Sequence, residues 1–556
     1  MKVLGINALF HDPSAALVID GVTVAAAEEE RFSRRKHGHR PVPFAAWELP
    51  ELAARWCLED AGLEPGDLDA VTYSFDVGLA RPAEELGLHD PWDHLRQTYA
   101  REAPRFLATS LPGLDPAAVR FVPHHVAHAA SAALATPYGP ANGEPVDVLV
   151  LDGRGECASH LAGTYDASGR LTTHHTQELP HSLGLLYEDL TEHLGFLRSS
   201  DEYKVMAMAS YGEPRFLGEL RERVRTTDDG GFVTERIDWN ALAKRLAPGE
   251  EWTPEHADLA ASVQRRLEEV LLDLARGLRA RTGNRSLALA GGVALNCVAN
   301  TVLHADSGYD HIWVQPAAGD AGTALGGALH VSAAGGVRLT PWPGADLGRG
   351  WSDEEIEAVL RTAQLPYERP DESAGGVAGA VAECLADDGV VAWFQGRSEF
   401  GPRALGHRSL MAHPGRAENL ERLNDVKGRE QFRPVAPMVL AQRAGEIFSR
   451  GPLPSPSMLF VHDVAPQWRD RIPAVVHVDG TARIQTVDPA DEPLVAAMLT
   501  AFEQRTGLPV VVNTSLNTAG RPMVDSPRDA LECFGSAPVD LLAIGPFVVR
   551  RGQVAG

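Results

Sequence analysis

Residues 2–31 and 146–178 carry the same ordered pattern, and that repeat limits the architecture more than any other feature of the chain. The first stretch reads strand, polar turn, strand, tight turn, strand, as KVLGINALFHDPS, AALVID and GVTVAAAEEER. The second reads VDVLVLDGRGEC, ASHLAGTYD and ASGRLTTHHTQE, with Asp166-Ala167-Ser168-Gly169 as its tight turn. Two such units, each followed by a helical pattern, predict a duplicated α/β core with a cleft between its halves. Two unrelated meanders would read the same way, because strand-turn-strand runs are common, and the pattern alone leaves that alternative open.

The helical pieces fit the scheme. Segments 44–62, 182–195 and 256–282 place apolar residues at helical spacing, and Gly283 is a stop signal for the last. Ser286–Ala290 reads as a buried strand running into Gly291-Gly292, a turn at which a phosphate or ribose could approach backbone. From 331 to 375 the chain is rich in Gly, Pro and acidic residues, with a short helix-like interruption at 353–364, and a domain boundary is expected there. The division is 1–345, a linker at 346–375, and 376–556.

Pro123-His124-His125-Val126-Ala127-His128 is the strongest metal-like constellation. On a helix, His124 and His128 share one face about a turn apart. Position 125 is not Glu, which excludes the usual zinc-protease helix. Asp152 and Asp320 both follow apolar strands and can reach a cleft; two imidazoles with carboxylates suit Fe(II), Zn(II) or Mn(II). Histidines that pack a helix beside aspartates that turn the chain remain the alternative.

The C-terminal third reverses the charge of the whole. GRSEFGPRALGHRS at 396–409 and KGREQFRP at 427–434 hold at least six cations between 396 and 434, in a chain of 51 Lys+Arg against 75 Asp+Glu and net charge −24. Guanidinium groups grip phosphate or carboxylate oxygens in pairs, so this density suits a small polyanion. The overall charge argues against a nucleic-acid partner. No apolar run approaches the roughly 18 residues of a membrane span, and a cytoplasmic, membrane-free location is expected. Five scattered cysteines without a Cys-x-x-Cys pair argue against disulfides and zinc ribbons.

Ordered motifs run end to end: HDPSAALV at 11–18, EEERFSRRKHG at 28–38, HHVAHAASA at 124–132, DGRGE at 152–156, DEYKVMAMASYG at 201–212, GGVALN at 291–296 and PAAGDAGTALGGAL at 316–329. They continue through the two basic runs to HVDGTARIQTV at 477–487 and VNTSLN at 512–517. With them the chain resembles the O-carbamoyltransferases of antibiotic biosynthesis and their nodulation and cephamycin relatives. The resemblance implies an α/β protein with an N-terminal duplicated actin-like domain (ASKHA class, similar to tRNA threonylcarbamoyl transferases) and a C-terminal YrdC-like domain. It implies that carbamoyl phosphate and ATP, with Mg2+, form carbamoyl-AMP in the C-terminal part. The N-terminal part would then pass the carbamoyl group to a hydroxyl of a small secondary metabolite.

The resemblance also assigns residues. Lys427, Arg433 and Arg483, with Arg403 and Arg408, would neutralise phosphates, and Asn513 and Ser515 would bond the carbamoyl or phosphate oxygens. His124, His128, Asp152 and Asp320 match the family's metal ligands, with Fe2+ the expected ion, and Gly291, Gly292 and Asn296 would hold adenosine. His11 matches a general base on the acceptor hydroxyl, as an imidazole unprotonated near neutral pH can be. Arg34, Arg35 and Lys36 stand either as guides for the anionic intermediate or as an exposed basic loop. Acceptor choice is expected in 76–122 and neighbouring loops. A homodimer is compatible with the resemblance. N-carbamoylation of an amine and an actin-like nucleotide-binding scaffold are the competing functions. An RNA-modifying role lacks a basic stripe, and a hydrogenase-maturation role lacks the cysteine-rich fingers.

Overall fold

The computed structural model describes residues 1–37 and 49–554. They form two compact units, Met1–Gly344 and Ala345–Gly556. The described part of the expected helix 44–62 is Glu51–Asp60, and positions 44–48 lie outside the described residues. The other two expected helices are Leu183–His193 and Pro254–Thr282.

The N-terminal unit contains the duplication. Strands β1 (Lys2–Asn7), β2 (Ser14–Ile19), β3 (Val22–Glu28), β4 (Ala70–Tyr73) and β5 (Val119–Phe121) form one sheet in the order β3-β2-β1-β4-β5. Strands β6 (Val146–Leu151), β7 (Ala158–Tyr165) and β8 (Leu171–Glu178) open a second sheet. A short ribbon, β9 (Val224–Thr226) with β10 (Phe232–Thr234), precedes β11 (Ser286–Ala290) and β12 (His311–Val314). The second sheet runs β12-β11-β6-β7-β8, the same order as the first. In both sheets the first three strands pair antiparallel, a fourth joins the first strand in parallel, and a fifth pairs parallel with the fourth. Identical order and identical strand sense replace the unrelated-meander alternative with a duplicated α/β arrangement.

Small residues bring the layers close. The helix Ala321–Ala334 is buried along most of its length and lies against both β1 and the helix His124–Ala133. A Cβ on Gly326 would stand 1.7 Å from the Ala127 carbonyl oxygen, so only glycine permits this approach. That contact seats the histidine-bearing helix against the helix that starts at Asp320.

The C-terminal unit is α/β as well. Its strands are β13 (Val391–Phe394), β14 (Arg408–Ala412), β15 (Ala436–Leu440), β16 (Phe448–Ser449), β17 (His462–Val464), β18 (Thr481–Ala482), β19 (Gln485–Val487), β20 (Val510–Ser515), β21 (Leu541–Ile544) and β22 (Phe547–Arg550). Seven make a mixed sheet in the order β19-β15-β20-β14-β13-β21-β22, and β16, β17 and β18 make a small second one. Near-continuous apolar strands such as Val391–Phe394 and Leu541–Ile544 are fully buried, as a sheet covered on both faces requires. Residues 346–375, read from composition as a linker, pack with this unit. The helix-like interruption expected at 353–364 is the helix Asp353–Thr362, which buries Ile356 and Leu360 in the core of this unit.

Candidate active site

Four buried side chains converge in the N-terminal unit. His124 and His128 project from one face of the helix His124–Ala133, Asp152 follows β6, and Asp320 precedes the helix Ala321–Ala334. One ligand atom from each lies within 4.8 Å of all the others. His124 Nε2 is 3.4 Å from Asp152 Oδ2 and 3.6 Å from Asp320 Oδ1, while His128 Nε2 is 3.4 Å from Asp320 Oδ1. Both Nε2 atoms are buried and, among the described residues, lack a hydrogen-bond partner.

Tautomer and charge fit a cation at that point. His124 Nδ1 lies 3.1 Å from the Ser74 carbonyl oxygen, which can only accept. Nδ1 therefore carries a proton, and Nε2 is the nitrogen that faces the carboxylates, the orientation metal-bound histidines take. Burial disfavours charge on His124, yet the nearby Asp320 and Asp152 carboxylates outweigh it and raise its pKa well above the ordinary value. Burial pushes the Asp152 carboxyl up, and the facing His124 and His128 imidazoles hold it below its usual range. A pair of anions that draws a proton onto a neighbouring imidazole would draw a divalent ion to the same place.

Backbone holds these groups. Gly292 N–H donates to Asp152 Oδ1 at 2.8 Å. Glu156 of the DGRGE stretch accepts from the backbone N–H groups of Asp76, at 2.7 Å, and His124, at 2.8 Å. It thereby fixes the first turn of the histidine helix. Sequence reasoning gave Glu156 no role, although its place in the same five-residue motif as Asp152 was a signal.

In the C-terminal unit, strand register gathers the basic motifs at one edge of the sheet. Ser515 pairs with Ser409 at the start of β14, and Asn513 pairs with Ala436 at the start of β15, while β19 runs parallel to β15. The segments carrying Arg433 and Arg483 enter β15 and β19 at that edge. Lys427 Nζ donates to the Ser515 carbonyl at 2.5 Å, Ser515 Oγ at 2.9 Å and Asn517 Oδ1 at 2.6 Å. Asn513 Nδ2 donates to the Ala404 carbonyl at 3.0 Å and Gln485 Oε1 at 2.7 Å, and its own Oδ1 is buried without a partner among the described residues. Those bonds place the loop bearing Arg403 over the same edge. A buried ammonium beside a serine hydroxyl, with arginines entering alongside, is an arrangement suited to an anionic substrate.

Residues 2–114 and 109–329 match the family described as Carbamoyltransferase N-terminus, and residues 382–551 match Carbamoyltransferase C-terminus. The chain belongs to the carbamoyltransferase family. It is 38% identical to nodulation protein NolNO of Sinorhizobium fredii over 98% of this chain and 80% of that protein. It is 35% identical to the uncharacterized protein sll1178 of Synechocystis sp., covering 99% of this chain and 96% of that one. Nodulation protein U of Rhizobium tropici is 32% identical, with 94% and 92% covered.

Several residues of this carbamoyltransferase are placed differently from expectation. Arg408 is fully buried, and its guanidinium donates to carbonyl oxygens of Gln395 at 2.7 Å, Gly396 at 3.2 Å and Arg349 at 3.1 Å while lying 3.8 Å from the centre of the Phe394 ring. A guanidinium so engaged braces the loop 395–407 and is not presented to a phosphate. Asn296 exchanges hydrogen bonds with the Gln264 amide, at 2.8 and 3.1 Å, and caps the helix Cys297–Asp306 through Ala299 N–H, so its side chain is committed to structure. Gly291 adopts φ +92°, where an added Cβ would stand 2.2 Å from the Leu151 carbonyl oxygen, and Gly292 orients Asp152. Arg433 pairs with Glu430 at 3.5 Å, and Arg483 Nε is buried without a partner among the described residues.

His11 also departs from the simple picture of a free base. Its Nδ1 is 2.8 Å from Asp12 Oδ2 and its Nε2 is 2.5 Å from the Ser199 carbonyl oxygen. Both nitrogens face acceptors, so both carry protons in this arrangement. Burial opposes that charge, and the Asp12 carboxylate outweighs it, raising the pKa to about 10.

Proposed function

We propose that the protein is an ATP-dependent carbamoyltransferase that makes carbamoyl-AMP from carbamoyl phosphate and ATP, then transfers the carbamoyl group to a hydroxyl of a small secondary metabolite. The observation that carries the transfer half is the buried His124, His128, Asp152 and Asp320 cluster, with two Nε2 atoms aimed at two carboxylates. These four residues would hold a divalent ion, Fe2+ by family resemblance, which when bound supplies Lewis-acid polarisation of the carbamoyl donor. The chain's own residues do the rest. Gly292 and Glu156 fix the geometry of the ligands, and His11 stands as the group that handles the acceptor proton.

The adenylation half is assigned to the C-terminal unit. Lys427 and Ser515, with Arg403, Arg433 and Arg483, would bind carbamoyl phosphate and the ATP phosphates there. Bringing two polyanions together demands preorganised positive charge, because their mutual repulsion otherwise opposes every productive encounter. Homology supports carbamoyl transfer itself; the two-step route and the hydroxyl acceptor are the present reading.

Incubation with ATP, Mg2+ and carbamoyl phosphate, without acceptor, tests it. Carbamoyl-phosphate-dependent pyrophosphate and carbamoyl-AMP are expected, and both should vanish in Lys427→Ala. ATP binding with no such product would sink the two-step route and favour a nucleotide-binding scaffold.

A further inference from the structure

Residues 11, 12 and 37 form a second cluster of titratable groups beside the metal-type site. Asp12 uses both carboxylate oxygens on imidazoles: Oδ2 lies 2.8 Å from His11 Nδ1, and Oδ1 lies 2.8 Å from His37 Nδ1. The two rings stack at 4.7 Å with 29° between their planes. His37 is anchored in turn by its backbone N–H, which donates to Glu30 Oε2 at 2.8 Å. Its Nε2 is buried without a partner among the described residues, so its bond to Asp12 is the polar contact that orients the ring.

The backbone around the cluster is held in unusual conformations. Phe10, Asp12, His37 and Ser199 all have positive φ, at 62°, 45°, 60° and 56°, although none is glycine. Strain of this kind persists only where surrounding contacts over-determine it, and it concentrates at functional sites. Here it delivers three side chains and one carbonyl to a single point.

We propose that Asp12 and His37 are positioning residues for His11. Asp12, locked by His37, sets the rotation of the His11 ring and keeps a proton on Nδ1, so that Nε2 is the nitrogen presented to the carbamoyl acceptor. This assignment rests on the transfer reading above. The Ser199 carbonyl oxygen occupies that nitrogen in the structure, 2.5 Å from Nε2, and the acceptor oxygen would have to take its place. In the resting arrangement Nε2 is protonated, since a carbonyl only accepts. The base form arises when that proton passes to water, and Asp12 decides that Nε2, not Nδ1, gives it up. In the transfer step the acceptor oxygen bonds to the carbamoyl carbon. The bond from that carbon to the adenylate oxygen breaks with its electron pair, AMP leaves, and the acceptor proton goes to Nε2. Among the described residues, the carboxylates of Asp320 and Glu202 also act on His11 through their charge.

Nitrogen-15 histidine NMR on the intact protein loaded with diamagnetic Zn2+ tests the proposal without needing an acceptor. His11 signals are identified by their loss in His11→Gln. The wild type should lose its Nε2 proton on titration to alkaline pH and retain the Nδ1 proton. Asn tolerates the positive φ of position 12, so Asp12→Asn leaves the backbone in place. It should lower the His11 midpoint by about one pH unit or more and mix the two tautomers. His37→Leu should shift the midpoint the same way, and His37→Gln, which keeps a donor for Asp12, should restore it. Loss of the Nδ1 proton in the wild type, or wild-type tautomer and midpoint in both Asp12→Asn and His37→Leu, would overturn the assignment. If Asp12→Asn does not fold, the wild-type tautomer and the His37 pair decide. Failure to make carbamoyl-AMP would count against the two-step reading and leave this result standing.

Discussion

The backbone N–H of Gly292 donates to Oδ1 of Asp152 at 2.8 Å, tying the glycine turn after β11 to a carboxylate after β6. Gly291 makes that turn possible, because its φ of +92° brings backbone to a point where a Cβ would collide with the Leu151 carbonyl. Gly291→Ala should therefore turn Asp152 away and weaken Zn2+ binding by about 10–100-fold, the usual cost of losing an outer-shell partner. Calorimetric titration of the metal-free protein with Zn2+ checks this; unchanged affinity would mean that the turn does not orient the ligand.

Loss of a proposed ligand should act more selectively than loss of the turn. His128→Ala should cut metal affinity by at least about 100-fold, beyond the effect of an outer partner, and abolish carbamoyl transfer. Carbamoyl-phosphate-dependent pyrophosphate release should remain within about twofold of wild type, because Lys427 and Ser515 belong to the other unit. Metal content by mass spectrometry beside a pyrophosphate assay separates the two halves. Parallel loss of both activities would refute the division of labour.

Asp147 offers a test of stability away from the chemistry. Its fully buried carboxylate accepts from Thr164 Oγ1 at 2.7 Å, Thr282 Oγ1 at 2.6 Å, Asn284 Nδ2 at 2.7 Å and Tyr309 Oη at 2.7 Å. It joins β6 and β7 to the end of the long helix Pro254–Thr282 and to the turn before β12. Asp147→Ala should cost about 3–5 kcal/mol, since four donors lose a shared partner in the interior. Chemical denaturation of the N-terminal transition measures it, and a loss under 1 kcal/mol would show that water replaces the carboxylate.

These residues also show what the sequence made legible. The three-stranded repeat was readable because alternation and turn residues are local, and the order β3-β2-β1 is repeated as β8-β7-β6. His124 and His128 were readable for the same reason, being one helical turn apart. The pairing of Asp12 with His37 spans 25 residues and depends on several positive φ values at non-glycine positions, which no spacing rule announces. The helix Asp353–Thr362 was readable as the helix-like interruption at 353–364, with Ile356 and Leu360 four apart, but the Gly, Pro and acidic residues around it hid that it packs into the C-terminal core. Arginine in a glycine-rich run carries no sign of whether it faces phosphate or carbonyl.

Arg408 and Arg433 turn that last ambiguity into an experiment. Arg408 is fully buried with both terminal nitrogens donating to the Gln395, Gly396 and Arg349 carbonyls, whereas Arg433 enters the edge carrying Lys427 and Ser515 and lies 3.5 Å from Glu430. Removing Arg408 leaves several buried carbonyls without donors and empties the space beside the Phe394 ring. Arg408→Met should therefore destabilise the C-terminal unit by about 3–5 kcal/mol. Below its lowered melting transition, the surviving folded protein should show a KM for carbamoyl phosphate within about twofold of wild type, because a brace contributes nothing to substrate affinity directly. Arg433→Met should do the reverse. Its melting temperature should stay within about 2 °C, as expected for a partly exposed arginine in a 3.5 Å ion pair, and its KM should rise by about tenfold or more, the loss of one charge-assisted contact to phosphate. Thermal melts and pyrophosphate-release kinetics on the same two variants decide the matter. A raised KM with unchanged melting in Arg408→Met would return that residue to the substrate site.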